Sequence, residues 1–412
     1  MPLLISDIAH GCYSFDGLAF WITVPLPAAL FGLATGRLSS MMDFKNALLP
    51  ALLFWLFFLL IPTLYEFLNF PQLFFFNQIW GYWPGPIYDE TVLFPEKLLL
   101  FRLSTFAWIG ILWTLPAVTE NKTAKTITLL GALFLVLFYM NASKAGFIST
   151  EKYIANKLGG IHSTQHFRII YDPAVADKDS IQKIGELHEA YLNEITGILE
   201  LDPENYQSDP ILSFIYPGSD KKKQLTGAGD TNYVPVWLDR DQMHITFNDL
   251  AGVLKHEMVH VVAKQFGNRF GASSSIGLVE GLAVAIDPKR FREVSIDQIV
   301  AASDTLPGTS ELEKLFGFTG FYRQPGIVSY TVTGSFVRHI LKELPPAEIR
   351  AAYRNGSIGE ILKSDGGIIV ESWHRYLKTV PVDSAAIEMS EAVYASESIF
   401  TKKCPRLSTS GS

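Results

Sequence analysis

Residues 48–62 read LLPALLFWLFFLLIP, with no polar side chain on any face. A helix of this composition is apolar all round, so it is buried in a very large core or crosses a bilayer. Four such stretches occur, Gly17–Gly36, Asn46–Tyr65, Leu98–Val118 and Thr126–Ala142. Each is near the roughly 20 residues that a bilayer crossing needs, the last being the shortest. Prolines 25, 27, 50 and 62 would disrupt soluble helices but are tolerated inside membranes. Residues 1–145 are therefore expected to form a multi-pass transmembrane region of four spans, with the lipid bilayer as partner. The first stretch is no signal peptide, since no basic segment precedes it and Asp7, His10 and Asp16 do.

Charge in the connecting loops predicts an orientation. Arg37 and Lys45 flank the first loop, and Lys122 and Lys125 occupy the third. The second, residues 66–97, carries Glu66, Asp89, Glu90 and Glu96 against one lysine. By the positive-inside rule, loops one and three face the cytoplasm, and the chain beyond Asn141 is extracytoplasmic. A bacterial inner membrane with a periplasmic or extracellular domain fits this layout. Trp80, Tyr82 and Trp83 of the second loop suit an aromatic belt at the membrane surface. Arg102, near the outer end of the third span, is expected to snorkel towards water.

The remainder is soluble in character. A net charge of −7 over 412 residues leaves no nucleic-acid footprint. The two cysteines, Cys12 and Cys404, lie at opposite ends and make neither a disulfide framework nor a thiolate metal site. Strands are predicted over His166–Asp172, Ile211–Pro217, Tyr233–Leu238 and Met243–Asn248, with a helix over Asp177–Leu201 and a lysine-bearing loop over Ser219–Asp230. Strands followed by helices make an α+β domain with a C-terminal helical lobe, spanning 160–395 and leaving 396–412 as a tail. The helices expected in the lobe include Arg292–Ser303 and Ser329–Leu344, with Gly317–Gly326 as a loop. The strand before residue 248 would offer an edge on which an extended peptide could lie.

Within this domain stands NDLAGVLKHEMVHVVAKQFG, residues 248–267. Asn248 is a suitable N-cap and Gly267 a suitable stop, so the stretch reads as one helix. His256 and His260 are four apart and project from the same face, where two imidazoles can hold one Zn²⁺. Glu257 lies beside them without being a ligand. A third ligand is available downstream in SSSIGLVEGLAVAID, where Glu280 is the lone acid of an otherwise apolar run that Ser275 can cap. A carboxylate so placed needs a partner, which a metal supplies and which a nearby Arg or Lys could supply instead.

HEMVH, then VEGLAV, then Tyr330 in SYTVTGSFVRHIL resembles the gluzincin metallopeptidases, most closely the peptidase-MA-like domains related to the aminopeptidase N catalytic domain. The resemblance covers residues 165–378. It implies a zincin-like fold, one zinc ion on His256, His260 and Glu280, Glu257 as general base, and Tyr330 as the oxyanion donor, with Tyr322 a nearby rival. A peptide or protein would be the substrate. No G-x-M-E-N segment is present, so the free-amine recognition of strict aminopeptidases is not implied. The alternative is a non-catalytic membrane subunit whose peptidase-like domain binds a partner membrane protein. An intramembrane protease is excluded, because Lys255 and Lys264 share the motif's helix and the surrounding domain is polar.

Overall fold

Four helices are long and apolar enough to cross a membrane: Gly17–Ser40, Leu48–Asn69, Lys97–Ala117 and Lys122–Met140. They belong to a computed structural model that describes residues 15–42, 46–86, 94–235, 237, 240–288, 290–291, 293–364 and 367–398. The chain divides into two compact units, one of residues 1–157, 219–231 and 404–412, the other of 158–218 and 232–403.

In the first unit the first span is broken at Val24 into α1 (Phe15–Thr23) and α2 (Pro25–Ser40), and α3 is Leu48–Asn69. A hairpin of β1 (Phe75–Asn77) and β2 (Gly81–Trp83) precedes α4 (Lys97–Thr114) and α5 (Lys122–Met140). The spans turn large apolar side chains outward, among them Leu53, Phe57, Leu60, Leu103 and Leu133. Such a surface is stable against acyl chains and not against water.

The second loop turns its phenylalanines inward but leaves the belt residues Trp80 and Tyr82 half-buried. Phe74, Phe75, Phe76 and Ile79 are buried, as are Gln72, Asn77 and Gln78, while Trp83 is exposed. The prolines explain why polar residues are buried here. Pro62 has no N–H to give to Phe58 O, and the Asn77 amide donates to that carbonyl instead at 2.8 Å. Pro27 likewise leaves Thr23 O without its helical donor, and Arg102 Nε donates to it at 2.7 Å. Arg102 therefore does not snorkel. It is 3% exposed, and its Nη1 also donates to Asn77 O, Gln78 O and Thr105 Oγ1. Gly81, at φ +90°, makes the turn beside it; an added Cβ would stand 2.9 Å from Arg102 Nη2 and 2.7 Å from a Val24 methyl.

The short helix α6 (Glu151–Leu158) leads into the second unit, whose four-stranded sheet has the order β3 (Gly160–Ser163), β4 (Phe167–Tyr171), β5 (Ile211–Tyr216) and β6 (Gln242–Thr246). β3 runs antiparallel to β4, and β4, β5 and β6 are parallel. The crossover from β4 to β5 is α7 (Lys178–Leu199), N-capped by Asp177. The segment expected as a lysine loop contains a helix, α8 (Ser219–Thr226), which packs with the first unit through Leu73 N–H on Thr226 O at 2.7 Å.

The strand expected over Tyr233–Leu238 is reduced to one bridge, in which Tyr233 and His244 exchange both backbone hydrogen bonds. Pro235 has no N–H with which to continue a ladder, and residues 236 and 238–239 lie outside the described residues. The β6 edge is consequently covered at His244, whose imidazole stacks on the Phe214 and Tyr233 rings at 4.7 and 4.6 Å. An extended peptide has no free β6 edge at that position.

Helices α9 (Leu250–Ala263) and α10 (Ile276–Ile286) follow. The chain then makes a small hairpin, β7 (Arg290–Phe291) with β8 (Val294–Ser295). The helix expected from Arg292 starts only at Ile296, as α11 (Ile296–Ala301), because Ser295 and Gln298 form a capping box there. The lobe continues with α12 (Thr309–Phe316), α13 (Phe318–Arg323) in place of the expected glycine-rich loop, and α14 (Gly326–Glu343). It ends with α15 (Pro346–Asn355), α16 (Gly359–Ser364), α17 (Ile368–Leu377) and α18 (Ser384–Tyr394). Of the expected tail, residues 399–412 lie outside the described residues. Asp297 ties the lobe together, accepting from Ser335 Oγ, Arg338 Nη1 and Tyr376 OH.

Candidate metal centre

The helix α9 carries the two histidines, but Asn248 is not its cap. A single 3₁₀ turn, Phe247–Asp249, precedes it, and the Asp249 carboxylate accepts from Thr246 Oγ1 and Asn232 Nδ2. Leu254, Met258, Val259, Val261 and Val262 bury the helix in the main core, which leaves His256, Glu257 and His260 on the remaining face, each under 10% exposed. The second helix, α10, starts as its sequence indicates: the Ser275 hydroxyl accepts from Leu278 N–H and donates to Phe316 O.

Small residues hold α10 close to its neighbours. A Cβ on Gly334 of α14 would stand 2.3 Å from a Val284 methyl, and one on Gly281 would stand 3.1 Å from Thr333 O. Close approach of α10 and α14 brings Glu280 of one beside Tyr330 of the other, and the tyrosine hydroxyl donates to the carboxylate.

Glu280 Oε2 lies 3.5 Å from His256 Nε2 and 3.7 Å from His260 Nε2. All three ligand atoms fall within 4.8 Å of one another, the one grouping of three such side chains found among the described residues. Two ligands about 2.0–2.1 Å from a tetrahedral ion stand about 3.3 Å apart, so these spacings fit with little adjustment. Two imidazole nitrogens and a carboxylate oxygen are a zinc donor set, and three protein ligands leave a fourth position open.

The electrostatics favour the ligating protonation states. Burial pushes the His260 pKa down, which keeps the imidazole neutral. Burial opposes ionisation of Glu280, but the two imidazoles and the Tyr330 hydrogen bond outweigh it and hold the carboxyl below its ordinary range.

A cavity of about 370 Å³ opens on this group. His256, Glu257, Tyr330 and Thr331 line it, together with Asn232 and the aliphatic residues Val253, Val284, Ile296 and Ile327. All four residues singled out as ligands or base, and Tyr330, thus meet in one place. Tyr322 does not join them; its ring packs on Phe318 and Phe321. Two participants were not legible beforehand. Asn232 reaches the cavity from the segment before β6, and Tyr353, buried on α15, feels the Glu280 charge, which adds to burial in raising its pKa. Neither stands at a spacing that ties it to the motif.

No family model and no curated protein matches this chain.

Proposed function

We infer that the second unit is a gluzincin-like zinc metallopeptidase tethered to the membrane by the four spans. The observation that carries this reading is the convergence of His256, His260 and Glu280 to within 4.8 Å, with Glu257 on the wall of the adjoining cavity. Bound zinc would supply Lewis acidity towards a peptide carbonyl and would make water acidic near neutral pH. Glu257 accepts the proton of the attacking water and delivers it to the leaving amine. Tyr330, on the Glu280 carboxylate in the absence of substrate, needs only to redirect its O–H to meet the oxyanion. The aliphatic walls limit the water that competes with substrate.

Two variants of the full-length protein test the reading. Glu257→Gln should keep about one zinc per chain by elemental analysis and lose metal-dependent peptide cleavage, a drop of at least ~100-fold. His260→Ala should lose the zinc. Full cleavage by Glu257→Gln would end the mechanism. Zinc retention with no cleavage by the native chain would leave the non-catalytic, partner-binding role in its place.

The loop charges put this unit on the extracytoplasmic side. In a chain with Cys12 and Cys404 replaced by serine, a cysteine replacing Lys144, exposed just past the last span, should then react with a membrane-impermeant maleimide added to intact cells. Reaction only after lysis would reverse the orientation.

A further inference from the structure

The cavity beside the metal ligands has a composition that selects what can enter it. Three of its aliphatic walls stand one helical turn from a chemically active side chain. Val253 precedes His256 and Glu257 on α9, Val284 follows Glu280 on α10, and Ile327 precedes Tyr330 on α14. Ile296, 1% exposed at the start of α11, forms the fourth wall. Spacings of three and four put each aliphatic residue on the same helix face as its partner, so the apolar wall and the reacting groups share one chamber.

The charge inventory of the chamber is as informative. Among the described residues that line it, Glu257 is the only acid and none is a lysine or arginine. Asn232 is committed to its own chain, its Oδ1 accepting from Thr246 N–H and its Nδ2 donating to Asp249. A substrate side-chain carboxylate held among these aliphatic walls would lose its hydration, meet no cationic side chain among the described lining residues and face Glu257. An aliphatic or aromatic side chain loses nothing and buries its surface.

We propose that Val253, Val284, Ile296 and Ile327 form a specificity pocket for an uncharged aliphatic or aromatic side chain adjoining the scissile bond. The proposal rests on the peptidase reading for its substrate class. Differences of a few methylenes in such a pocket discriminate about 10–200-fold, and an acidic residue should fare worse than a short apolar one.

The test separates recognition from turnover. Full-length Glu257→Gln protein, zinc-loaded in detergent micelles, is titrated with blocked hexapeptides. These are identical except for Leu, Phe, Lys or Asp on either side of the central bond. At one of the two positions, Leu or Phe should bind at least ~10-fold more tightly than Asp. Ile327→Glu in the same background should shift the preference to Lys, and Val253→Phe should erase the Phe advantage. Zinc content equal to that of the parent establishes that each variant is folded. Equal affinity for all four peptides, no binding, or a preference that neither variant moves overturns the pocket. Native protein that leaves the tightly bound peptides uncut would remove the peptidase reading while the binding preference stood. Cleavage without side-chain preference would do the reverse.

Discussion

Replacing Gly334 by alanine tests whether close packing of two helices sets the metal site. Gly334 lies in the middle of α14, where alanine is the better helix former by about 1 kcal/mol. On propensity alone the change should stabilise the protein. The added Cβ, however, would stand 2.3 Å from Val284 Cγ1, 2.8 Å from Val284 Cβ and 3.5 Å from Ile296 Cδ1. Valine is branched at Cβ and cannot swing aside without moving its backbone. Overpacking of this kind costs about 1–3 kcal/mol, so after the propensity gain the net loss is about 1 kcal/mol and at most about 2 kcal/mol. Because Val284 and Glu280 are one turn apart, the displacement of α10 also moves a candidate metal ligand. Hydrogen exchange of peptides covering 276–286 and 326–343, measured on the full-length protein, should therefore quicken about fivefold, and at most about thirtyfold. Zinc affinity should fall in parallel. Unchanged or slower exchange with intact zinc affinity would refute the argument that this glycine is required for the helix contact.

Two further outcomes follow from buried polar groups. His188 is fully buried; its Nδ1–H donates to Ile184 O, and its Nε2 accepts from Ser213. Burial lowers its pKa from 6.5 to about 4, so the unfolded chain binds the proton more readily. Its contribution is complete above about pH 6.5 and is lost as pH falls towards 4, a change of about 3 kcal/mol. Unfolding of His188→Gln should vary less over that window than unfolding of the native protein; identical pH dependence would exclude His188 as the titrating group. In the membrane unit, Asn77→Leu should destabilise by about 1–3 kcal/mol by stripping the Phe58 carbonyl of its donor. The part owed to that carbonyl should vanish in a Pro62→Ala background, where the helix supplies its own N–H, leaving the cost of the bonds Asn77 donates to Thr63 Oγ1 and accepts from Ile79 N–H. A double-mutant cycle showing no coupling would mean that the proline and the amide are unrelated.

How much of this was legible in the chain depends on whether the controlling interaction is local. The spans could be read because an all-apolar helix has few environments open to it. His256, Glu257 and His260 could be read because a spacing of four on a helix fixes their relation, and Glu280 because an isolated acid in an apolar run needs a partner. Ser275 and Asp177 act as caps through hydrogen bonds three residues away. Where the readings went astray, a distant partner intervened. Arg102 looked like a snorkelling residue until Thr23 O, 79 positions earlier, took its Nε–H. The second loop gave no sign of its buried amide, because the Phe58 carbonyl released by Pro62, which draws Asn77 inward, lies 19 positions earlier. The predicted strand after Tyr233 met a proline, and the helix predicted from Arg292 yielded to the cap at Ser295.

By itself the sequence determined which segments shun water, which helix face holds two imidazoles, and which acid stands ready as a third ligand, since these follow from periodicity and from the cost of burying charge. Only the tertiary structure decided that Glu280 reaches both histidines, that Tyr330 meets Glu280, and that aliphatic residues from four helices close around Glu257. Apart from Val253, which shares the helix of Glu257, those relations join residues 20 to 70 positions apart in the chain. They depend on helix contacts as close as glycine allows, and no local pattern records that distance.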